Sequence, residues 1–302
     1  MIQPLLWVPF TLAAAVSQVL RNGTQANLTA KIGTLGATQV RFIYGLPFAV
    51  LFLAAALSIS GEGLPPVGAV AFGWAVLGAI SQILATAFML IVMRDRAFGV
   101  AYAYIKTEPV IVALLGVVIL GDILSGLAWI AIGVVTLGVV LASTRPGDIG
   151  KLAEETKPIA IGVAGGALFG LSAIAFRAAI TDIAEGSFIL RSLTMLVVTL
   201  GIQSLLLGLW LLLRDREAFA GSLREWPTSM GAGFLGALAS AGWFISFSLT
   251  AAANVRTLGL VEIPIAAFLS HRVSGKKLAS GEWIGLTLVM LGVALLLGSH
   301  VP

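Results

Sequence analysis

Two glutamates carry the strongest chemical suggestion in this chain. Glu108 and Glu262 stand 154 residues apart, inside long apolar stretches, and each lies within two residues of a proline, Pro109 and Pro264. An ionisable side chain at membrane depth is costly and marks function by default. An isolated carboxylate there must take up a proton or find a cation. A matched pair of such acids suits a proton site or an amine-binding site. The competing reading is structural, with each acid pairing with an arginine to lock helices together.

The cations are more numerous. Lys106 lies two residues before Glu108, about 200° around a helix, so the two do not share a face. It can answer a substrate carboxylate or an acid on another helix. Arg21 belongs to a polar face with Gln18, Asn22 and Gln25 at spacings of three and four, while Asn27 falls off that face. The alternative is a helix that ends at Leu20 and leaves Arg21 in the interface. Arg177 recurs near the place of Arg21 in the second half, and Arg191 near that of Arg41. For Arg41 and Arg191 the plain account is a long stem snorkelling to headgroups. Tyr102 and Tyr104, with Trp243, Phe244 and Phe247, could line an apolar cavity or simply pack. The candidate substrate-binding or coupling set is therefore Glu108, Glu262, Lys106, Arg21, Gln18, Asn22, Tyr104 and Trp243. No catalytic, metal or cofactor site is expected. There is no cysteine, and His271 and His300 are the only imidazoles. No HExxH, nucleophile–base or Walker A pattern is present, so the chain reads as neither an enzyme nor an ATP-driven pump.

The elements that must position these residues are membrane helices. Apolar residues make up 59% of the 302 positions and charged residues 11%, with mean hydropathy +1.04. Soluble domains carry about 25% charged residues, and a barrel would show short alternating strands instead of long apolar runs. Ten spans of about 20 residues fit. They run roughly 5–28, 35–57, 67–92, 97–120 and 123–143, then 159–180, 187–213, 229–253, 255–270 and 278–297. The ninth is short, only about 24 Å long at 1.5 Å per residue. Trp129–Leu141 and Trp283–Leu295 align with seven identities in thirteen positions, at the same 154-residue offset as the two glutamates. This internal copy divides the chain into residues 1–143, a charged linker 144–158, and residues 159–302. An odd number of spans per half makes the second half inverted, and duplicated membrane halves place a transport site at their interface. Gly162, Gly166 and Gly170 mark one helix face for close packing. The isoelectric point near 9.7 reflects basic loops rather than nucleic-acid binding. Twelve Lys and Arg fall in loops on one side against Arg256 alone on the other, which by the positive-inside rule puts both termini outside.

The stretch Thr107–Asp122, with Glu108-Pro109 and Gly121-Asp122, followed by the Trp129 helix, resembles the closing part of an EamA-type repeat of the drug/metabolite transporter superfamily. Thr38–Phe42 resembles the opening of its second helix. The second half keeps Leu190-Arg191, Glu262-Ile-Pro264 and Trp283 but has Lys276-Lys277 where an acid is usual. The resemblance implies an all-α polytopic inner-membrane carrier of ten helices in two inverted fives, working as a monomer by alternating access. It places the cavity among the first, third, fourth, sixth, eighth and ninth helices and leaves the fifth and tenth peripheral. Members of the family often have cytoplasmic termini, against the charge count. The expected function is export or exchange of a small polar, amino-acid-like metabolite, because the in-span arginines and Lys106 outnumber the two acids. The alternative is a proton-coupled exporter of lipophilic cations that uses Glu108 and Glu262 as exchange acids.

Overall fold

The computed structural model describes residues 5–95, 108–143, 156–274 and 279–300. Lys106, Tyr104 and Tyr102 lie outside them, as does most of the 144–158 linker. Every regular element among the described residues is helical: α1 Trp7–Ile43, α2 Gly45–Ser60, α3 Ala69–Asp95, α4 Glu108–Leu115, α5 Gly126–Ser143, α6 Thr156–Asp182, α7 Phe188–Arg214, α8 Arg216–Arg224, α9 Trp226–Leu249, α10 Ala252–Gly259, α11 Glu262–Ser274 and α12 Ser280–Gly298. Among the described residues eight segments are long and apolar enough to cross a membrane: Lys31–Ser60, Ala69–Met89, Gly126–Ser143, Ala160–Asp182, Phe188–Arg214, Trp226–Leu249, Ala252–Leu269 and Gly281–Gly298. This is the architecture of a polytopic membrane protein. The first expected span is helical from Trp7 but is not among the eight, and the fourth is described only as the shorter apolar run Glu108–Leu120.

Three local features depart from the expected spans. First, α1 runs through the 29–34 connection and is broken there by Gly33, at φ 70° and ψ 172°. A left-handed φ is cheap only for glycine. A continuous helix would hold Arg21 and Arg41 about 30 Å apart. Instead, both stems lie against Gly236, each 3.5 Å from where its Cβ would stand, so the chain reverses at Gly33. The helix also continues well past Leu20, which removes the reading that left Arg21 in the interface. Second, the connection after α7 is not a loop but the short helix α8, opened by Asp215, whose side chain accepts from the Ala218 N–H. Third, the ninth span is not short. It extends from Ala252 to Ser274 as two helices, α10 and α11, separated by a turn at Leu260–Val261.

The chain forms two compact units, and each draws on both sequence halves. Unit 1 comprises residues 1–8, 84–174 and 250–302; unit 2 comprises 9–83 and 175–249. In unit 1, α5 and α12, the two Trp-led helices, pack along their length. A Cβ at Gly138 would fall 2.8 Å from the Gly285 carbonyl oxygen, and one at Gly292 would strike the Val135 side chain and backbone. Between membrane helices there is no hydrophobic driving force, so backbone approach through small residues supplies the attraction. The outer faces stay open, as expected for peripheral helices: Trp283 is 60% exposed. Gly170 carries α6 against Ile111 and Val112 of α4.

After α4 the helix widens into a π turn, Gly116–Leu120, which Gly121 ends at φ 67°. The Asp122 N–H then donates to the Gly116 carbonyl at 3.1 Å, and its carboxylate folds over Gly116. The Gly-Asp pair is thus a helix terminator. In unit 2, α2, α7 and α9 pack together, with Gly45 against the Gly233 carbonyl.

Candidate functional site

Unit 1 brings Glu108 to Arg256. Glu108 is the first described residue of α4 and is 2% exposed. Arg256 lies in the last turn of α10, where the helix dipole favours a cation. Its Nε donates to Oε1 at 2.6 Å and its Nη2 to Oε2 at 2.8 Å. A two-pronged guanidinium–carboxylate contact is the strong form of this bond. The pairing of an acid with an arginine, set beside the proton-site reading at the outset, is what forms at Glu108. Arg256 is also no loop residue, so it drops out of the loop-charge count, where it stood alone on the sparse side.

Glu262 is 4% exposed and opens α11 just after the turn that ends α10. An acid in the first turn meets the positive end of the helix dipole. Pro264 sits in that same turn, where its missing N–H costs nothing. The Glu-x-Pro pattern is therefore the start signal of a half-helix inside a membrane span. The beginning of α10 is fixed by Asn254, whose Nδ2 donates to Thr250 Oγ1 at 3.1 Å and stands 3.1 Å from His300 Nε2. The Leu296 carbonyl oxygen 3.0 Å from His300 Nδ1 obliges that nitrogen to carry the proton, so Nε2 accepts. Trp7 covers the imidazole at 5.3 Å between centroids.

Unit 2 gathers Gln18, Arg21, Asn22 and Trp243 along one antiparallel seam between α1 and α9. Thr11 Oγ1 donates to Ser246 Oγ at 2.9 Å. Gly242 lets the Phe10 carbonyl and Ala14 approach to 2.8 Å of its Cβ position. Trp243 Nε1 donates to Gln18 Oε1 at 3.2 Å. One turn further on, Arg21 and Arg41 flank Gly236, and Arg21 Nη2 donates to Asn22 Oδ1 at 2.8 Å. Arg21 is 7% exposed, while Asn22 is open to the surface.

Trp243, Phe244 and Phe247 are all buried, and Phe244 packs on Phe176 at 5.0 Å. They belong to the packed interior of this unit, the plainer of the two readings. Arg177 donates to the Phe247 carbonyl at 2.8 Å and Arg191 to the Ile183 carbonyl at 3.2 Å. For Arg191 this ties a guanidinium to the chain just beyond the end of α6, in place of snorkelling.

Sequence reasoning missed Arg256 as the partner of Glu108 and Gly236 as the meeting point of two arginines. The first left one signal, a cation six residues before Glu262 within the same broken span. The second left none, since a lone glycine in a glycine-rich chain points nowhere. Among the described residues no group of three or more His, Cys, Asp or Glu could hold a metal ion.

Residues 156–298 match the EamA-like transporter family. No curated protein matches the sequence. A solved structure described only as the crystal structure of a protein is similar at TM-score 0.67, over 95% of this chain and 96% of that one, with 15% identity. At that identity the likeness speaks for the fold alone. The family match covers the second half alone, a little under half of the 302 residues, and that half is similar to the EamA-like transporters; the long apolar helices are those of a polytopic membrane protein.

Proposed function

We propose that this protein is a secondary carrier that exports or exchanges a small polar, amino-acid-like metabolite bearing a carboxylate, by alternating access between two inverted five-helix repeats. Ten spans are counted by adding the first leg of α1 and the full fourth span to the eight apolar segments. The repeat is supported by the 154-residue offset between the starts of the two Trp-led helices, Gly126 of α5 and Ser280 of α12, and between Glu108 and Glu262 in sequence. The repeats are residues 1–143 and 159–302.

The observation that carries the reading is the Glu108–Arg256 bond, at 2.6 and 2.8 Å, between the fourth and ninth spans. Discontinuous helices near the middle of a span are where carriers bind substrate, and the ninth span is one, broken at Leu260–Val261. A buried ion pair joining it to the fourth span beside that turn is a contact that can be made in one state and released in another. With both carboxylate oxygens engaged by Arg256, Glu108 is not open to pair with a lipophilic cation, which weighs against the drug-exporter reading.

The test is counterflow of radiolabelled amino acids into proteoliposomes of the inner-membrane lipid type, with wild type and Glu108→Gln. Wild-type counterflow that is lost in the variant supports the carrier. Equal flux in both would remove this ion pair from the mechanism.

A further inference from the structure

The connection between the seventh and eighth spans is itself a helix, and its two faces differ. The nine residues of α8 make a rod about 14 Å long at 1.5 Å per residue, too short for a hydrocarbon core about 30 Å thick. One face is fastened within unit 2. Ala218 and Ser222 are buried. The Ala218 carbonyl oxygen stands 3.2 Å from the Cβ position of Gly36, and Gly221 meets the Ile32 side chain. The Tyr44 hydroxyl donates to the Ser222 carbonyl oxygen at 3.2 Å. Just past the end of α8, Glu225 bonds Lys31, two residues before the break in α1, at 2.9 Å. These contacts hold α8 level with the ends of the spans, where hydrocarbon gives way to headgroups.

The other face carries the charge. At about 100° per residue, Arg216 and Arg224 stand about 80° apart and each about 120–160° from Ala218 and Ser222. Both are exposed, as is Arg214 at the end of α7. The acids of this stretch are Asp215, Glu217 and Glu225. Two of them are engaged. Asp215 Oδ1 accepts from the Ala218 N–H at 3.0 Å, and Glu225 holds Lys31. Arg216 turns its Nε to the Leu212 carbonyl oxygen at 3.2 Å, which leaves its terminal nitrogens open. Among the described residues Arg214 and Arg224 have no ion-pair partner. Glu217 is thus the one unengaged acid beside three guanidinium groups. Apolar side chains border the same stretch: Leu213 is 67% exposed, Leu223 43% and Trp226 59%. Tryptophan collects at the membrane–water interface, where an apolar body and a polar edge are both accommodated.

We propose that α8 is an interfacial helix that binds anionic lipid, with Arg214, Arg216 and Arg224 on headgroup phosphates and Leu213, Leu223 and Trp226 among the upper acyl carbons. A basic amphipathic helix bordered by exposed apolar and aromatic side chains fits a membrane surface, and each arginine near an anionic leaflet adds to the attraction. A soluble phosphate would use the guanidinium groups but leave the apolar border in water. The proposal needs only a chain that spans a membrane, so it stands apart from the carrier reading.

The test is lipid retention by the purified full chain in an uncharged detergent, read by native mass spectrometry at rising concentrations of ammonium acetate. Phosphatidylglycerol, phosphatidylcholine and glycerol 3-phosphate are the probes, added separately. Phosphatidylglycerol should be retained, and less so as salt rises. The zwitterionic lipid and the soluble phosphate should not be retained. The double variant Arg214→Gln with Arg224→Gln should weaken retention about tenfold. Lys276→Gln with Lys277→Gln, an equal loss of charge in another loop, should leave it unchanged. Should the double arginine variant fail to fold, Arg214→Gln and Arg224→Gln singly carry the test, each weakening retention about threefold.

Equal retention of the two lipids, or glycerol 3-phosphate bound as tightly as phosphatidylglycerol, would overturn the proposal. So would unchanged retention in every arginine variant, or a loss in the lysine control as large as in the arginine variants. Because the assay reads no flux, a chain that transports nothing can still pass it, and a working carrier can fail it.

Discussion

The two compact units treat buried charge in opposite ways. In unit 1 an acid and a base from different spans meet and neutralise each other, Glu108 with Arg256. In unit 2 Arg177 and Arg191 donate to backbone carbonyl oxygens and Arg21 to an amide. A neutralised pair fixes geometry and projects little field. A guanidinium that donates to a neutral oxygen satisfies one of its buried donors and ties its helix to the neighbouring stretch of chain. Unit 1 joins two spans through a charged pair, and unit 2 ties its guanidinium groups to oxygens of its own chain.

The sharpest way to break this contrast is to remove half of the pair. Glu108→Gln leaves Arg256 without its counter-charge, and losing one partner of a buried pair costs about 3–5 kcal/mol. Arg256 keeps 18% of its side-chain surface accessible, so the lower end of that range is expected. Thermal unfolding in detergent should show a drop of many degrees. The double variant Glu108→Gln with Arg256→Met should recover much of it. If the double variant were as unstable as the single one, the pair would not be what joins α4 to α10.

A middle-sized effect tests whether the helix seams of the two units rest on the same device. Gly285 in unit 1 meets the backbone of Ala142 and Gly138, and Gly242 in unit 2 meets Ala14 and the Phe10 carbonyl. Alanine at either position must push a helix backbone aside, and overpacking of this kind costs about 1–3 kcal/mol. Gly281, with nothing within 4 Å of its Cβ position, is the control, and Gly281→Ala should leave the melting temperature unchanged. A neutral Gly285→Ala would mean that α5 and α12 have slack between them.

The smallest effect belongs to the surface. The Lys31–Glu225 pair has side chains 54% and 30% accessible, and exposed pairs contribute about 0–1 kcal/mol. Lys31→Ala should barely change thermal stability. A large loss would show that this bridge, and not Gly33, sets the reversal of α1.

Much of this was legible in the residue order because it is local. Apolar runs of sufficient length must be helices in a membrane, since every backbone polar group needs an internal partner there. The Trp129 and Trp283 copies foretold α5 and α12 as matching helices, and the Glu-x-Pro pattern at 262 contained the start of α11. What stayed hidden depends on contact. Glu108 and Arg256 are 148 residues apart, and nothing near either one names the other. The connection between the first two spans was legible at 29–34, where the chain turns at Gly33, but not that helix continues on both sides of that glycine. The division into units cuts across both sequence halves because it too depends on contact. Composition determined that the chain crosses a membrane as helices and that its spans hold more arginine than acid. Only the packing of those helices decided which arginine is spent on a glutamate and which two meet at Gly236, because side chains on separate helices become neighbours through backbone approach, and that approach is set by where the small residues face one another.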